Sequence, residues 1–203
     1  YYTQNSKNLR SYGVLYAGNQ KGQMGLVKTA VRFDLPDLPD TTTVLKATMY
    51  LAHRDYSAVG VSTSTVNVCE ITEGWEASES VPGVAGEAPG HSPYAQDYNT
   101  LGADTKKTMV SWDITGIASQ WFNGTLDNHG VLVYPQDPDE WALTDFVSPQ
   151  NTGYGSGALP ILVIHYREAC GLEDYWSYST QDCGRYGKGY VNNYNGNLVY
   201  IHE

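Results

Sequence analysis

Between Val110 and Pro135 the chain reads VSWDITGIASQWFNGTLDNHGVLVYP, a stretch that dictates its own local structure. Val110 and Trp112 alternate with Ser111 and Asp113, the period-2 pattern of a half-buried strand. Ile114, Ile117, Ala118 and Trp121 then recur at the spacing of one helical face, predicting a helix over Ile114 to Phe122. Asp113 or Thr115 can cap its start, and Gly124 stands where a left-handed residue would end it. Asn128-His129-Gly130 turns the chain into Val131 to Tyr134, an apolar run of strand length. The alternative is a parallel βαβ crossover, but this helix is short for that job and no second such unit follows. The expectation is a helix that closes one end of a β-sandwich.

The rest of the chain agrees with an all-β class. Charged residues are 17% of the sequence, below the usual quarter, while Tyr numbers 17 and Gly 21. A first strand is expected over Tyr12 to Gly18. Leu26 to Phe33 alternates, with Thr29, Val31 and Phe33 on one face and Lys28, Ala30 and Arg32 on the other. Pro36 and Pro39 end that run. Leu45, Ala47, Met49 and Leu51 predict the next buried face, and Thr63 to Ile71 a further strand holding Cys69 as a buried thiol. From Ser78 to Lys107 the pattern lapses into a long Gly- and Pro-rich loop. Thr144 to Val147 reads as a short strand, and Pro160 to Tyr166, apolar on both faces, as a central one. Trp75, Trp112 and Trp121 sit in apolar patterns and are expected in the core.

Glu168 to Gly171 reads as a domain edge, dividing the chain into a sandwich over 1–168 and a Tyr-, Gly- and Asn-rich tail over 169–203. In the tail, Tyr190 to Tyr194 and Asn197 to Ile201 flank Asn195-Gly196, a strong hairpin signal. Cys170 and Cys183 are placed for a disulfide or for two free thiols. The start at Tyr1 lacks the basic and apolar regions of a signal peptide and reads as the start of an excised piece.

Three phrases carry a resemblance. VRFDLPDLPDTTTVLKATMYL (Val31 to Leu51), VNVCEITEGWEASE (Val66 to Glu79) and MVSWDITGIASQWFNGTLDNHGVLV (Met109 to Val133) together resemble the DNRLRE domain. That is a jelly-roll-like module of large secreted and cell-surface bacterial proteins, related to some carbohydrate-binding modules. The likeness covers roughly residues 10 to 167. The tail, with GLEDYW from Gly171, GYVN from Gly189 and NGNLV from Asn195, is similar to segments that lead into RHS/YD-repeat shells. The resemblance implies an antiparallel β-sandwich of jelly-roll type, a bacterial extracellular or cell-surface location, and a downstream RHS-type domain of the same chain as partner. It carries over no catalytic residue.

The residues themselves point the same way. A net charge of −10 argues against nucleic acid as a partner, since phosphate binding needs a basic face. No apolar run is long enough for a helix inserted in a membrane. The five histidines show no ligand spacing, and there is no nucleophile elbow or phosphate loop. His53-Arg54-Asp55 mimics a kinase triplet without its supporting motifs. Asp137, Asp139 and Glu140 are hard oxygen ligands that suit calcium, the only cofactor suggested. Pro138 limits that geometry, however, and a solvated acidic loop is the alternative. Trp141, Tyr94, Tyr98 and Tyr154 lie on loops and can offer ring faces to a polysaccharide or cell-surface glycan. The expected function is a non-catalytic structural or adhesive module of an RHS-type protein, with glycan binding. The alternatives are a dedicated carbohydrate-binding module of a polysaccharide-degrading system and, with least support, a glycan-active enzyme.

Overall fold

In the computed structural model the described residues are 2–3, 13–21, 25–38, 42–75, 88–149, 153, 155–168, 172, 177–194 and 196–201. Tyr154, Cys170 and Asn195 lie outside them. The chain folds as an all-β antiparallel sandwich with one short helix and a separate small sheet in the tail. In chain order the sandwich strands are β1 (Tyr2–Thr3), β2 (Val14–Gln20), β3 (Gly25–Val27), β4 (Thr29–Val31), β5 (Thr42–Ala58), β6 (Thr63–Glu70), β7 (Asp97–Gly102), β8 (Met109–Asp113), β9 (Val131–Pro135), β10 (Ala142–Val147) and β11 (Ile161–Glu168). Helix α1 (Thr115–Phe122) lies between β8 and β9.

One sheet has the order β1-β4-β9-β6-β7, and the other β11-β5-β10-β2-β3 with β8 also paired to β5. Their facing side chains form one core. Val66, Val68, Val131 and Val133 come from the first sheet, and Leu15, Met49, Leu51, Trp112 and Phe146 from the second. Among the chain's changes of sheet, one falls at Lys28, between β3 and β4, and another is made through α1. Thr29 Oγ1 reinforces the first change: it accepts the Tyr16 N–H at 3.1 Å and donates to the Tyr16 carbonyl at 2.8 Å. At β7 and β8 the sheets are tied by side chains. Asp97 Oδ2 accepts the Asp113 N–H at 2.7 Å, and Asn99 Nδ2 donates to the Ser111 carbonyl at 3.2 Å.

The strand–helix–strand stretch folds as its pattern requires. Ile117, Ala118 and Trp121 bury the helix face in the inter-sheet core. Asp113 caps from just before the helix, its Oδ1 accepting the Thr115 N–H at 2.9 Å and the Thr115 hydroxyl at 2.6 Å. Thr115 Oγ1 in turn accepts the Ala47 N–H at 2.9 Å, and the Ala47 carbonyl accepts the Ile114 N–H at 2.9 Å, so the helix start is stitched to β5. Gly124 is left-handed, with φ +72°.

Several expectations are corrected. Leu45 is exposed and Val44 packs on the core, because β5 carries a bulge: Lys46 pairs with His165 and Val44 with Tyr166, leaving Leu45 unpaired. One extra residue inverts every inside–outside assignment beyond it. Residues 97–102, read as loop, form β7. It is an edge strand with a single large apolar inward residue, Leu101, so its sequence shows little alternation. The central strand is β10, buried along its whole length, whereas β11 is an edge on which Ile161, Val163 and Tyr166 are exposed. Ala30 and Trp75 are covered on the outer face of the first sheet. There Ala30, Cys69, Ile71 and Leu132 form a second cluster, with Trp75 and Tyr134 packed against it.

In the tail, β12 (Tyr178–Asp182), β13 (Lys188–Asn192) and β14 (Leu198–Ile201), among the described residues, pair only with one another. β13 and β14 are the expected hairpin, with Gly196 left-handed in its turn; β12 is an additional strand. Cys183 is an exposed free thiol, and the partner expected for it, Cys170, lies outside the described residues.

Candidate functional site

The described aromatics of this set lie on different segments: Trp141 in the β9–β10 loop, Tyr94 before β7 and Tyr98 on β7. Trp141 is 38% exposed between β9 and β10; its carbonyl accepts the Val59 N–H at 2.9 Å, pinning the loop to the β5–β6 turn. Tyr94, 80% exposed, precedes β7. No ring pair among the described residues includes Trp141, Tyr94 or Tyr98. Tyr154 is outside the described residues. Nor do the acidic residues converge. Asp137 Oδ1 accepts the Asp139 N–H at 2.9 Å, a turn within the loop. Among the described residues no three His, Cys, Asp or Glu side chains are grouped so that they could hold a metal ion.

Tyr98 does belong to an organised surface. Val66, Val68 and Val133 point into the core, so the pleat places Asn67, itself only 9% exposed, and the half-buried Tyr134 on the outer side of the sheet. Asn67 is the register partner of both Tyr98 on β7 and Tyr134 on β9. The result is a row Tyr98–Asn67–Tyr134 across three adjacent strands, extended by the Lys28 ammonium 5.7 Å over the Tyr134 ring. The His91 ring stands 6.4 Å from the other ring neighbour, Tyr134, and Thr65 and Thr100 face each other at 3.4 Å beside the row. Adjacent strands lie about 4.8 Å apart, so the two tyrosines are separated by roughly 10 Å.

The cluster beneath makes this face firm. Trp75 Nε1–H donates to the His129 carbonyl at 2.6 Å, and Arg32 lies 5.5 Å over the Trp75 ring. Burial pushes the Cys69 thiol up to about 12 and raises the Tyr134 phenol. Both therefore stay protonated near neutral pH and act as packing and hydrogen-bonding groups. The exposed Tyr98 ring offers a stacking surface, and the Asn67 amide beside it is largely covered and bonded to the Tyr134 phenol. Asn67 and Tyr134 carried no local mark in the sequence beyond the alternation of VNV and VLVY; only strand pairing joins them to Tyr98.

A second cluster surrounds the His-Arg-Asp triplet. His53 is buried, with Nε2 donating to the Asp55 carbonyl and Nδ1 bonded to Thr105 Oγ1, each at 3.0 Å. Arg54 is ion-paired with Asp145, and Lys106 Nζ lies 3.2 Å from Asp55 Oδ1. Desolvation lowers the His53 pKa and raises that of Asp145, while the Tyr56 backbone N–H and Lys106 lower that of Asp55. Both imidazole nitrogens are occupied in this geometry, and the triplet serves to hold β5, β10 and the 103–108 turn together.

Comparison with known families finds no family model that matches the chain, and no curated protein matches it.

Proposed function

We propose that this chain is a non-catalytic jelly-roll module of DNRLRE type from a large bacterial surface or secreted RHS-type protein, and that it binds glycan on the outer face of its first sheet. The row Tyr98–Asn67–Tyr134 carries the reading: a ring that is 66% exposed stands in register with an amide and a second ring on a braced sheet. The phrases that resemble the family also have structural work here, which supports the likeness. Asp113 caps α1, Gly124 ends it, and Asn128 Nδ2 donates to the Phe33 carbonyl at 2.8 Å. In the tail, Val191, Leu198 and Tyr200 remain exposed, which suits strands stacked against by a following RHS-type shell.

Affinity electrophoresis of the full chain against neutral and acidic polysaccharides tests the glycan reading. Retardation by one polysaccharide, lost in Tyr98→Ala and kept in Trp141→Ala, is expected. Retardation lost only in Trp141→Ala moves the site to the β9–β10 loop. No retardation by any polysaccharide leaves a structural spacer.

A further inference from the structure

A cleft of about 360 Å³ opens where β5 meets β8, far in character from the tyrosine row. Its lining is mostly apolar, from Ala52, Met109, Val147 and Ala158, with two cationic residues, Arg54 and Lys107. The one ring in its lining is the buried His53, held by Asp55 and Thr105, so the cleft presents no exposed ring face of the kind a sugar ring favours. The volume is at the small end of the ligand-site range.

Lys107 is the singular residue of this cleft. It has φ +64°, the sole non-glycine with positive φ among the described residues. Two bonds impose that conformation: the Lys107 N–H donates to the His53 carbonyl at 2.7 Å, and the Thr108 carbonyl accepts the His53 N–H at 2.9 Å. A left-handed lysine costs about 1 kcal/mol or more that glycine would not, and such strain concentrates where a side chain serves a site. The cations around it are already matched. Arg54 pairs with Asp145 and Lys106 with Asp55, whereas Lys107 makes no ion pair among the described residues.

We infer that this cleft binds a small organic carboxylate with an apolar body: the carboxylate meets the Lys107 ammonium, and the body packs on Met109, Val147 and the two alanines. The inference is independent of the glycan reading, because no residue of the tyrosine row lines the cleft.

Ligand-observed NMR and calorimetry on the full chain, with cyclohexanecarboxylate, the neutral cyclohexanecarboxamide and glucuronate as probes, test it. The carboxylate is expected to bind saturably and the amide about tenfold more weakly, the size of one charge-assisted contact. Lys107→Gly is expected to reduce carboxylate affinity to that of the amide without lowering Tm, since glycine relieves the backbone strain. Ala158→Phe, which fills the cleft, should abolish binding of both. Equal binding of carboxylate and amide, undiminished binding by Lys107→Gly, or glucuronate binding as tightly as cyclohexanecarboxylate would each overturn the proposal, as would no saturable binding at all.

Discussion

The indole Nε1–H of Trp112 donates to the carbonyl of Val66 at 3.1 Å, a hydrogen bond that crosses from one sheet of the sandwich to the other within the dry core. Trp112 is fully buried and meets the Phe146 ring edge-on at a centroid distance of 5.9 Å. One side chain thus fills the space between the sheets and fixes their relative position through a polar contact that hydrophobic packing alone would not specify.

Trp112→Phe keeps most of the apolar contact and removes the donor. It should cost about 1–3 kcal/mol, while Trp112→Ala should cost about 3–5 kcal/mol through the cavity it leaves. Urea denaturation of the two variants checks this. Equal losses for Phe and Ala would mean that the hydrogen bond, and not volume, dominates.

Gly130 and Gly124 are both left-handed but differ in surroundings. A Cβ on Gly130 would lie 2.3 Å from the Val31 carbonyl oxygen, whereas one on Gly124 meets nothing within 4 Å. Gly124→Ala should therefore cost only the backbone term, about 1 kcal/mol, and Gly130→Ala about 3 kcal/mol or more, because β4 and β9 must move apart. Thermal melts of the pair measure the difference directly.

The Asp113 carboxylate holds both the N–H and the hydroxyl of Thr115. Asp113→Ala should lower stability by about 1 kcal/mol, with Asn recovering most of it. A larger loss in Asp113→Ala would indicate that freeing Thr115 also loosens its bond to the Ala47 N–H on β5.

Acid should act on His53. Burial lowers its folded pKa below the ordinary 6.5, so between those values the unfolded chain holds more protons and stability falls as pH drops from 6.5. Each unit of separation is worth about 1.4 kcal/mol. Asp145, raised by burial, acts with the opposite sign, between 3.8 and its own raised value. His53→Gln isolates the histidine contribution. The stability gap between wild type and variant should shrink on acidification below 6.5, and a gap constant with pH would show that the imidazole does not titrate on unfolding.

How much of this was legible in the chain depends on the range of the interaction. The helix, its acidic cap, Gly124 and the Gly196 hairpin were readable, because each rests on contacts a few residues apart. The strands β6 and β9 were readable from their apolar runs. Leu45 misled, because a bulge in β5 itself turns it outward, and β7 was hidden, because an edge strand needs few inward apolar residues. Trp75 misled in another way, since an apolar neighbourhood does not say which side of a sheet will cover it.

The sequence by itself determined the class of fold and the local elements, through hydrophobic period and turn chemistry. Only the tertiary structure decided which outward residues share a surface. Tyr98, Asn67 and Tyr134 are distant along the chain and meet through strand register, and Lys107 shares a cleft with Ala158 only where β5, β8 and the segment before β11 converge. Register is set by the packing of the whole core, which no local stretch encodes.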